Sequence, residues 1–498
     1  MAIYHLNANI ISRARGQSAV AAAAYRMGAV LRDERFGVTH NYVGKRGVTH
    51  SELMAPRHAP PWALEREALW NRVEACELRK DSQLARLLEV GLPIELDADE
   101  RAALMRDFVA QEFVAEGMIA DFAIRGSEAN PHAHVLLTLR RVTASGFGPK
   151  ERRWNGKSLL LEWRSAWATL ANLHLARAGH AVRIDHRTLA AQRIELTPGR
   201  RIGVGRARRD DRLLPDHLSE RIAEQQRIAS ENGELILADP TVALRALTHQ
   251  RPSFTHRELV SFLRARTHGA VQLAAVLAAV TQSGDLTPLA AVAGEERFTS
   301  RDTVEAEESL LRRCRAMAAR RGHGVRPAQQ GAAQGREVAV REAARRDLAY
   351  LVGDGDAKAL AVTDEIKAPL LRAAHQAWAE AGWVVRGAAP SPRAAAHLQA
   401  ISGIESHALS RYEEEWQRGG ALQPATVLLL DGAELCGIKQ LERVVAAADK
   451  ARAAVVLMAD TDRLRAMKVA TPFRDVLQGL APGRDTDDDS HEQYLPKR

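Results

Sequence analysis

The run Asn130-Pro131-His132-Ala133-His134-Val135-Leu136-Leu137-Thr138-Leu139-Arg140 admits few structures. After the Pro131 turn it is apolar and β-branched enough for a half-buried strand. Side chains alternate across a strand, so His132 and His134 share a face. Two imidazoles one pleat apart on a rigid element can hold one divalent metal. The spacing alone leaves open two strand histidines satisfied by hydrogen bonds. A chain with 18 His among 498 residues contains about 0.6 His-x-His pairs by chance.

The length provides for roughly two to four domains with real cores. Lys and Arg outnumber Asp and Glu by 70 to 62, with a sequence pI near 9.6. That balance admits a polyanionic partner without requiring one. Cys76, Cys314 and Cys436 lie far apart with no Cys-x-x-Cys spacing, which argues against a zinc ribbon or disulfide framework. The N-terminus lacks a basic stretch followed by an apolar core, and no run is long enough to cross a bilayer. The expectation is a soluble cytoplasmic protein without membrane insertion.

Residues 2–6 and nearby apolar positions suggest an opening strand, and Ser18 is a fair N-cap for an Ala-rich helix over Ala19 to Leu31. Within it Tyr25 stands among small neighbours, which leaves one side of its ring and hydroxyl unobstructed. A Tyr that anchors the helix to a sheet is the other reading. Residues 36–61 read as irregular, 62–79 as helix and 84–96 as strand. Asp97 to Glu100 is a capping box before a helix, and 118–124 is a further strand. Strands and helices in this order imply an α+β layer with an antiparallel sheet. A helix bearing Trp163 and Trp167 follows. A basic segment with Arg200, Arg201, Arg206, Arg208, Arg209 and Arg212 marks a domain edge and could grip phosphates. Residues 216–318 read as a mostly helical connecting domain. Short apolar strands separated by helices over 338–481 predict a parallel sheet. The acidic end, 482–498, reads as a disordered tail.

A Tyr hydroxyl in line with a phosphorus can form a covalent phosphotyrosine, and a metal on paired histidines can neutralise the charge that develops. Residues 1–200 resemble the MobA/MobL mobilisation relaxases, a branch of the His-hydrophobic-His single-strand endonucleases. The residues that carry the likeness are Met1-Ala2-Ile3-Tyr4-His5-Leu6, Gln17 to Arg26, Leu92-Pro93, Asn130 to His134, Trp154-Asn155 and Arg183-Ile184-Asp185-His186-Arg187. The resemblance implies Tyr25 as nucleophile and His132 and His134 as ligands of Mg or Mn. The substrate it implies is one strand of plasmid DNA at an origin of transfer, with accessory mobilisation proteins and a type IV coupling protein as partners. Arg26, Arg183, His186, Arg187, Arg200 and Arg201 are the candidate DNA contacts. The family pattern has a third His where this chain reads Ile124-Arg125, and Arg cannot ligate a cation. Either His5, Asp121 or Glu128 completes the metal shell, or Arg125 takes the phosphate charge, or the chain binds origin DNA without cutting it.

Residues 240–480 resemble the helicase part of two-part conjugation relaxases, here in degenerate and truncated form. The window that should hold a P-loop, Gly-x-x-x-x-Gly-Lys-Ser/Thr, reads Ala361-Val362-Thr363-Asp364-Glu365-Ile366-Lys367-Ala368. Only Lys367 remains, and the later acidic positions retain Asp431 and Asp460. The expectation is a P-loop-like domain with no nucleotide cofactor and no ATP turnover.

Overall fold

A computed structural model of the chain describes residues 4–44, 47–199, 216–292, 294–325 and 338–480. The expected tail at 482–498 and the basic run from Arg200 to Arg212 lie outside the described residues. The chain divides into two compact units, one drawn mainly from residues up to His186 and one mainly from Arg187 onward.

In chain order the first unit holds β1 (Leu6–Ser12), α1 (Ala19–Met27), β2 (Val30–Asp33), β3 (Val38–Asn41), β4 (Val48–Met54), α2 (Arg66–Cys76) and β5 (Gln83–Gly91). Then follow α3 (Ala98–Val109), β6 (Ala120–Arg125), β7 (His132–Thr138), β8 (Arg140–Thr143), β9 (Gly146–Lys150) and α4 (Lys157–Ala178). Five strands form an antiparallel sheet in the order β1-β5-β7-β6-β4, so the His-x-His strand is central. Its two faces are buried differently. Ala133, Val135 and Leu137 join Leu88, Val90, Phe122 and Ile124 against Phe108 of α3 and Trp163 and Trp167 of α4. On the other face Leu136, Leu87 and Ala123 pack under Ala19 and Ala23 of α1 and Trp70 of α2. Burial on both faces is why β7 runs apolar without alternation after His134.

The predicted N-cap forms: Ser18 accepts from the Ala21 amide at 3.2 Å. Ser18 also donates to buried Asp33 at 2.5 Å. Ala19, Ala23 and Ala24 are fully buried, and their small side chains let α1 approach the sheet closely. The helix is shorter than the sequence suggested. Gly28, at φ +65°, ends it in a left-handed turn that feeds β2. The opening strand is present at Leu6–Ser12, and residues 2 and 3 lie outside the described residues. The stretch read as irregular contains β3 and β4. Edge strand β4 pairs on one side only, so its polar face carries no apolar run to betray it. The capping box of α3 is present, with Glu100 N to Asp97 at 2.8 Å and Asp97 N to Glu100 at 2.9 Å.

The second unit begins with α5 (Asp216–Ala238), α6 (Thr241–Gln250), β10 (Phe254–Thr255), α7 (His256–Arg264), α8 (Gly269–Gln282), β11 (Leu286–Val292), β12 (Glu295–Ser300) and α9 (Arg301–Ala318). This region is less helical than expected, because β10, β12 and β11 form a small antiparallel sheet. Next come α10 (Val338–Val352), β13 (Ala357–Val362), α11 (Asp364–Glu380), β14 (Val384–Ala389), α12 (Pro392–Ser402) and β15 (Ser406–Ala408). The unit closes with α13 (Leu409–Gln417), β16 (Thr426–Asp431), α14 (Ile438–Ala451), β17 (Ala454–Asp460), α15 (Thr461–Ala466) and α16 (Pro472–Leu480). The five strands are parallel, in the order β13-β17-β16-β14-β15. Every residue of β16 and β17 is buried, as covered parallel strands require. Leu310, Cys314 and Met317 of α9 share the core of this sheet with Leu428, Leu430, Val455 and Leu457.

Candidate active site

Register assembles the site. Arg125 pairs with His132 across β6 and β7, and His134 pairs with Ala123. On the other side of β7, His134 faces Glu89 and His132 faces Gly91. Directly paired residues share a face, so Arg125, His132, His134 and Glu89 all project on the α1 side of the sheet. The core on that face stops at Leu136, and the two imidazoles begin where it ends. Their ring centroids are 5.3 Å apart. His132 Nδ1 lies 3.0 Å from the Asn130 carbonyl, which assigns the proton to Nδ1 and leaves Nε2 as the acceptor nitrogen. His134 Nε2 lies 3.8 Å from Glu89.

Tyr25 reaches the same place from above. Its helix is otherwise sealed, yet Tyr25 is 44% exposed, which speaks against an anchoring role. The Arg125 guanidinium carbon stands 5.9 Å from its ring centroid, and Arg125 Nη1 donates to the Tyr25 carbonyl at 3.3 Å. Tyr42 packs edge-on at 5.2 Å. Arg26 donates to the Ala22 carbonyl at 3.2 Å. Burial holds Arg26 below the usual guanidinium range, while Glu89 and Tyr25 act against that shift. Tyr25, Arg26, Arg125, His132 and His134 therefore converge. Sequence reasoning passed over Glu89 and Tyr42. Glu89 was visible as a charged residue inside an apolar strand.

Gly126 sets the turn that presents His132. Its φ is +106°, and a Cβ there would collide with the Asn130 carbonyl and stand 2.9 Å from His132 Nδ1. Gly126→Ala is expected to cost about 1–3 kcal/mol, read from urea denaturation.

As a metal centre the donor set is incomplete. Asp121 is fully buried, holds Arg66 at 2.8 Å and accepts from Trp70 at 2.9 Å. Glu128 pairs with Arg101 at 3.0 Å. Among the described residues no three His, Cys, Asp or Glu side chains gather as a metal site. His5 lies beside this face, its carbonyl accepting from the Gly91 amide at 2.9 Å. Two imidazoles with a guanidinium at the third corner do not fit a three-ligand cation.

The remaining candidates fall elsewhere. Val182 and Ile184 enter the core beneath α3 and α4, and they carry Arg183 and His186 with them. His186 meets the Tyr4 ring at 6.5 Å. Arg187, in the second unit, pairs with buried Glu413 at 2.8 Å, and Arg443 holds the same carboxylate at 2.5 Å. Arg200 and Arg201 lie outside the described residues.

At the carboxyl ends of the parallel strands, one residue, Thr363, separates β13 from α11. Lys367 Nζ lies 2.6 Å from Asp431, both nearly buried. Asp460 accepts from the Arg463 amide at 2.6 Å, and the Arg463 guanidinium pairs with fully buried Glu434 at 2.8 Å. The charges that could face a phosphate chain are satisfied among themselves.

Residues 17–212 match the MobA/MobL family, and residues 349–485 match an AAA domain. A probable conjugal transfer protein TraA of Sinorhizobium fredii is 31% identical over 95% of this chain and 47% of its own length. The mobilization protein MobL of Acidithiobacillus ferridurans is 37% identical over 42% of this chain and 63% of its own. A solved structure described as "Molecular Basis of Vancomycin Resistance Transfer in Staphylococcus aureus" is 36% identical, covers 38% of this chain and 100% of its own, and has a TM-score of 0.36. The chain spans about half the length of the TraA relatives it matches.

Proposed function

Since residues 17–212 belong to the MobA/MobL family and residues 349–485 carry an AAA-type domain, we propose that the chain is a relaxase of conjugative mobilisation. It nicks one strand of plasmid DNA at an origin of transfer. The observation that supports this most is the convergence of an exposed Tyr25 with Arg125 and the His132–His134 pair.

The Tyr25 hydroxyl oxygen attacks phosphorus, and the bond from phosphorus to the 3′ oxygen breaks. A 5′-phosphotyrosine and a free 3′-hydroxyl result. The phenol gives up one proton, and Glu89, which lies across from His134 and interacts with Arg26 as Tyr25 does, is the proposed acceptor. The departing 3′ oxygen gains one, so the balance closes. Arg125 and Arg26 counter the charge on the non-bridging oxygens by donating hydrogen bonds to them. Bond energy is conserved in the phosphotyrosine, so the strand can be rejoined. Among the described residues no third side-chain ligand gathers with the two imidazoles, so the proposed step uses the protein's own cations.

The test is direct. The full chain is incubated with single-stranded oligonucleotides tiled across the DNA flanking its coding sequence. The expected product is a denaturant-resistant adduct whose tryptic peptide carries the modification on Tyr25. Retention of DNA without any adduct would identify a non-cleaving origin-binding protein instead.

For the second unit we propose a role without ATP hydrolysis, in holding single-stranded DNA, accessory mobilisation proteins or a coupling protein. The single-residue turn at Thr363 and the buried Lys367–Asp431 pair support this. Phosphate release with ATP and single-stranded DNA should equal the buffer control; measurable turnover refutes the reading.

A further inference from the structure

The strand register places a buried cation, Arg125, on the face of the His132–His134 pair with no acidic side chain of the described residues against it. Arg125 is 7% exposed, and among the described residues no carboxylate lies within ion-pairing distance of it. Its hydrogen bond is to the Tyr25 carbonyl, so most of its five N–H donors are unspent. Other arginine side chains of this unit are held by side-chain acceptors: Arg13 by Glu74 at 2.7 Å, Arg66 by Asp121 at 2.8 Å, Arg101 by Glu128 at 3.0 Å, and Arg86, equally buried, by the Asn155 amide oxygen at 2.6 Å. A buried guanidinium without an acidic partner is costly unless an anion joins it.

Resting on the relaxase reading above, we propose that Arg125 is itself the phosphate-binding cation of the site, and that cleavage does not depend on a tightly held divalent metal. Three observations carry this. Arg125 sits directly opposite His132 and beside the Tyr25 ring, where a scissile phosphate must lie to be attacked. Asp121 and Glu128 are engaged by Arg66 and Arg101, and Glu89, 3.8 Å from His134 Nε2, does not make a three-donor group with the imidazoles among the described residues. A dication next to a fixed guanidinium is repelled, whereas a phosphodiester fits it with two parallel hydrogen bonds. Arg125 stays protonated throughout. It steadies the Tyr25 phenolate before attack and the non-bridging oxygens after it, and the bonds made and broken are those already given.

Three measurements on the full chain decide it. Chelator-treated protein is titrated with Mn²⁺ and free metal is followed by electron paramagnetic resonance. Wild type should bind with Kd above about 1 mM, and Arg125→His, which supplies a third imidazole, should bind at least about tenfold tighter. Micromolar Mn²⁺ binding by wild type with no gain in the variant overturns the proposal. Next, fluorescent single-stranded oligonucleotide is titrated in EDTA. Arg125→Gln should lose about tenfold or more, and Arg125→Lys should recover part of that loss. Equal binding by wild type and Arg125→Gln overturns the proposal, and Arg125→Lys guards against a folding defect. Finally, wild type should form the Tyr25 adduct in EDTA within about threefold of its yield in Mg²⁺. Adduct formation abolished by chelator sinks the metal-free site but leaves the relaxase reading intact. No adduct under either condition sinks the Tyr25 reading, and the two binding titrations then decide the role of Arg125.

Discussion

Tyr25→Phe is expected to abolish the DNA adduct, with at least about a 10³-fold fall in covalent complex, because no other group supplies the attacking oxygen. The fold should not notice the change. Tyr25 is 44% exposed, and a Phe ring keeps its contacts with Tyr42 and Arg125. The melting temperature and the affinity for single-stranded DNA should stay close to wild type. The measurement is a denaturing gel of labelled oligonucleotide beside a binding titration of the same preparation. An undiminished adduct in the Phe variant would move the nucleophile elsewhere and end the proposed mechanism.

Loss of Arg66 should produce the largest change in stability. Asp121 is fully buried in the central sheet and is held by Arg66 through three contacts of 2.8 to 3.0 Å, with the Trp70 indole at 2.9 Å. Burial pushes the Asp121 carboxyl upward, and Arg66 and Trp70 pull against that rise. Arg66→Ala removes most of the opposition and leaves a buried carboxylate half satisfied, at a cost of about 3–5 kcal/mol. The sign with pH follows. An acid whose folded pKa lies above its unfolded value keeps its proton longer when folded. Stability then falls as pH rises from the ordinary aspartate range toward the raised value. The deficit of Arg66→Ala should therefore shrink on acidification. The double variant with Asp121→Asn should recover much of the loss at neutral pH. Urea denaturation at two pH values reads both effects, and a pH-independent deficit without rescue would show that Arg66 acts through packing alone.

Much of this was readable in the chain because it depends on near neighbours. Ser18 as a cap, the Ala-rich helix α1, the Asp97 capping box and the shared face of His132 and His134 follow from helical or strand patterning over a few residues. The parallel sheet was legible for the same reason, since strands covered on both faces read as unbroken apolar runs. Edge strand β4 and the β11–β12 hairpin were not legible, because strands paired or covered on one side carry weak patterns. Glu89 was plain in the sequence, but its meaning depends on lying across from His134.

Local sequence determined which groups this protein owns and which way each points along its own strand or helix. Tertiary structure alone decided that Arg125 meets His132 while lying beside Tyr25, 100 residues earlier in the chain. It also decided that Lys367 is spent on Asp431. The physical reason is that strand register and helix docking are settled by burying two apolar faces at once, and no short window of sequence records that sum.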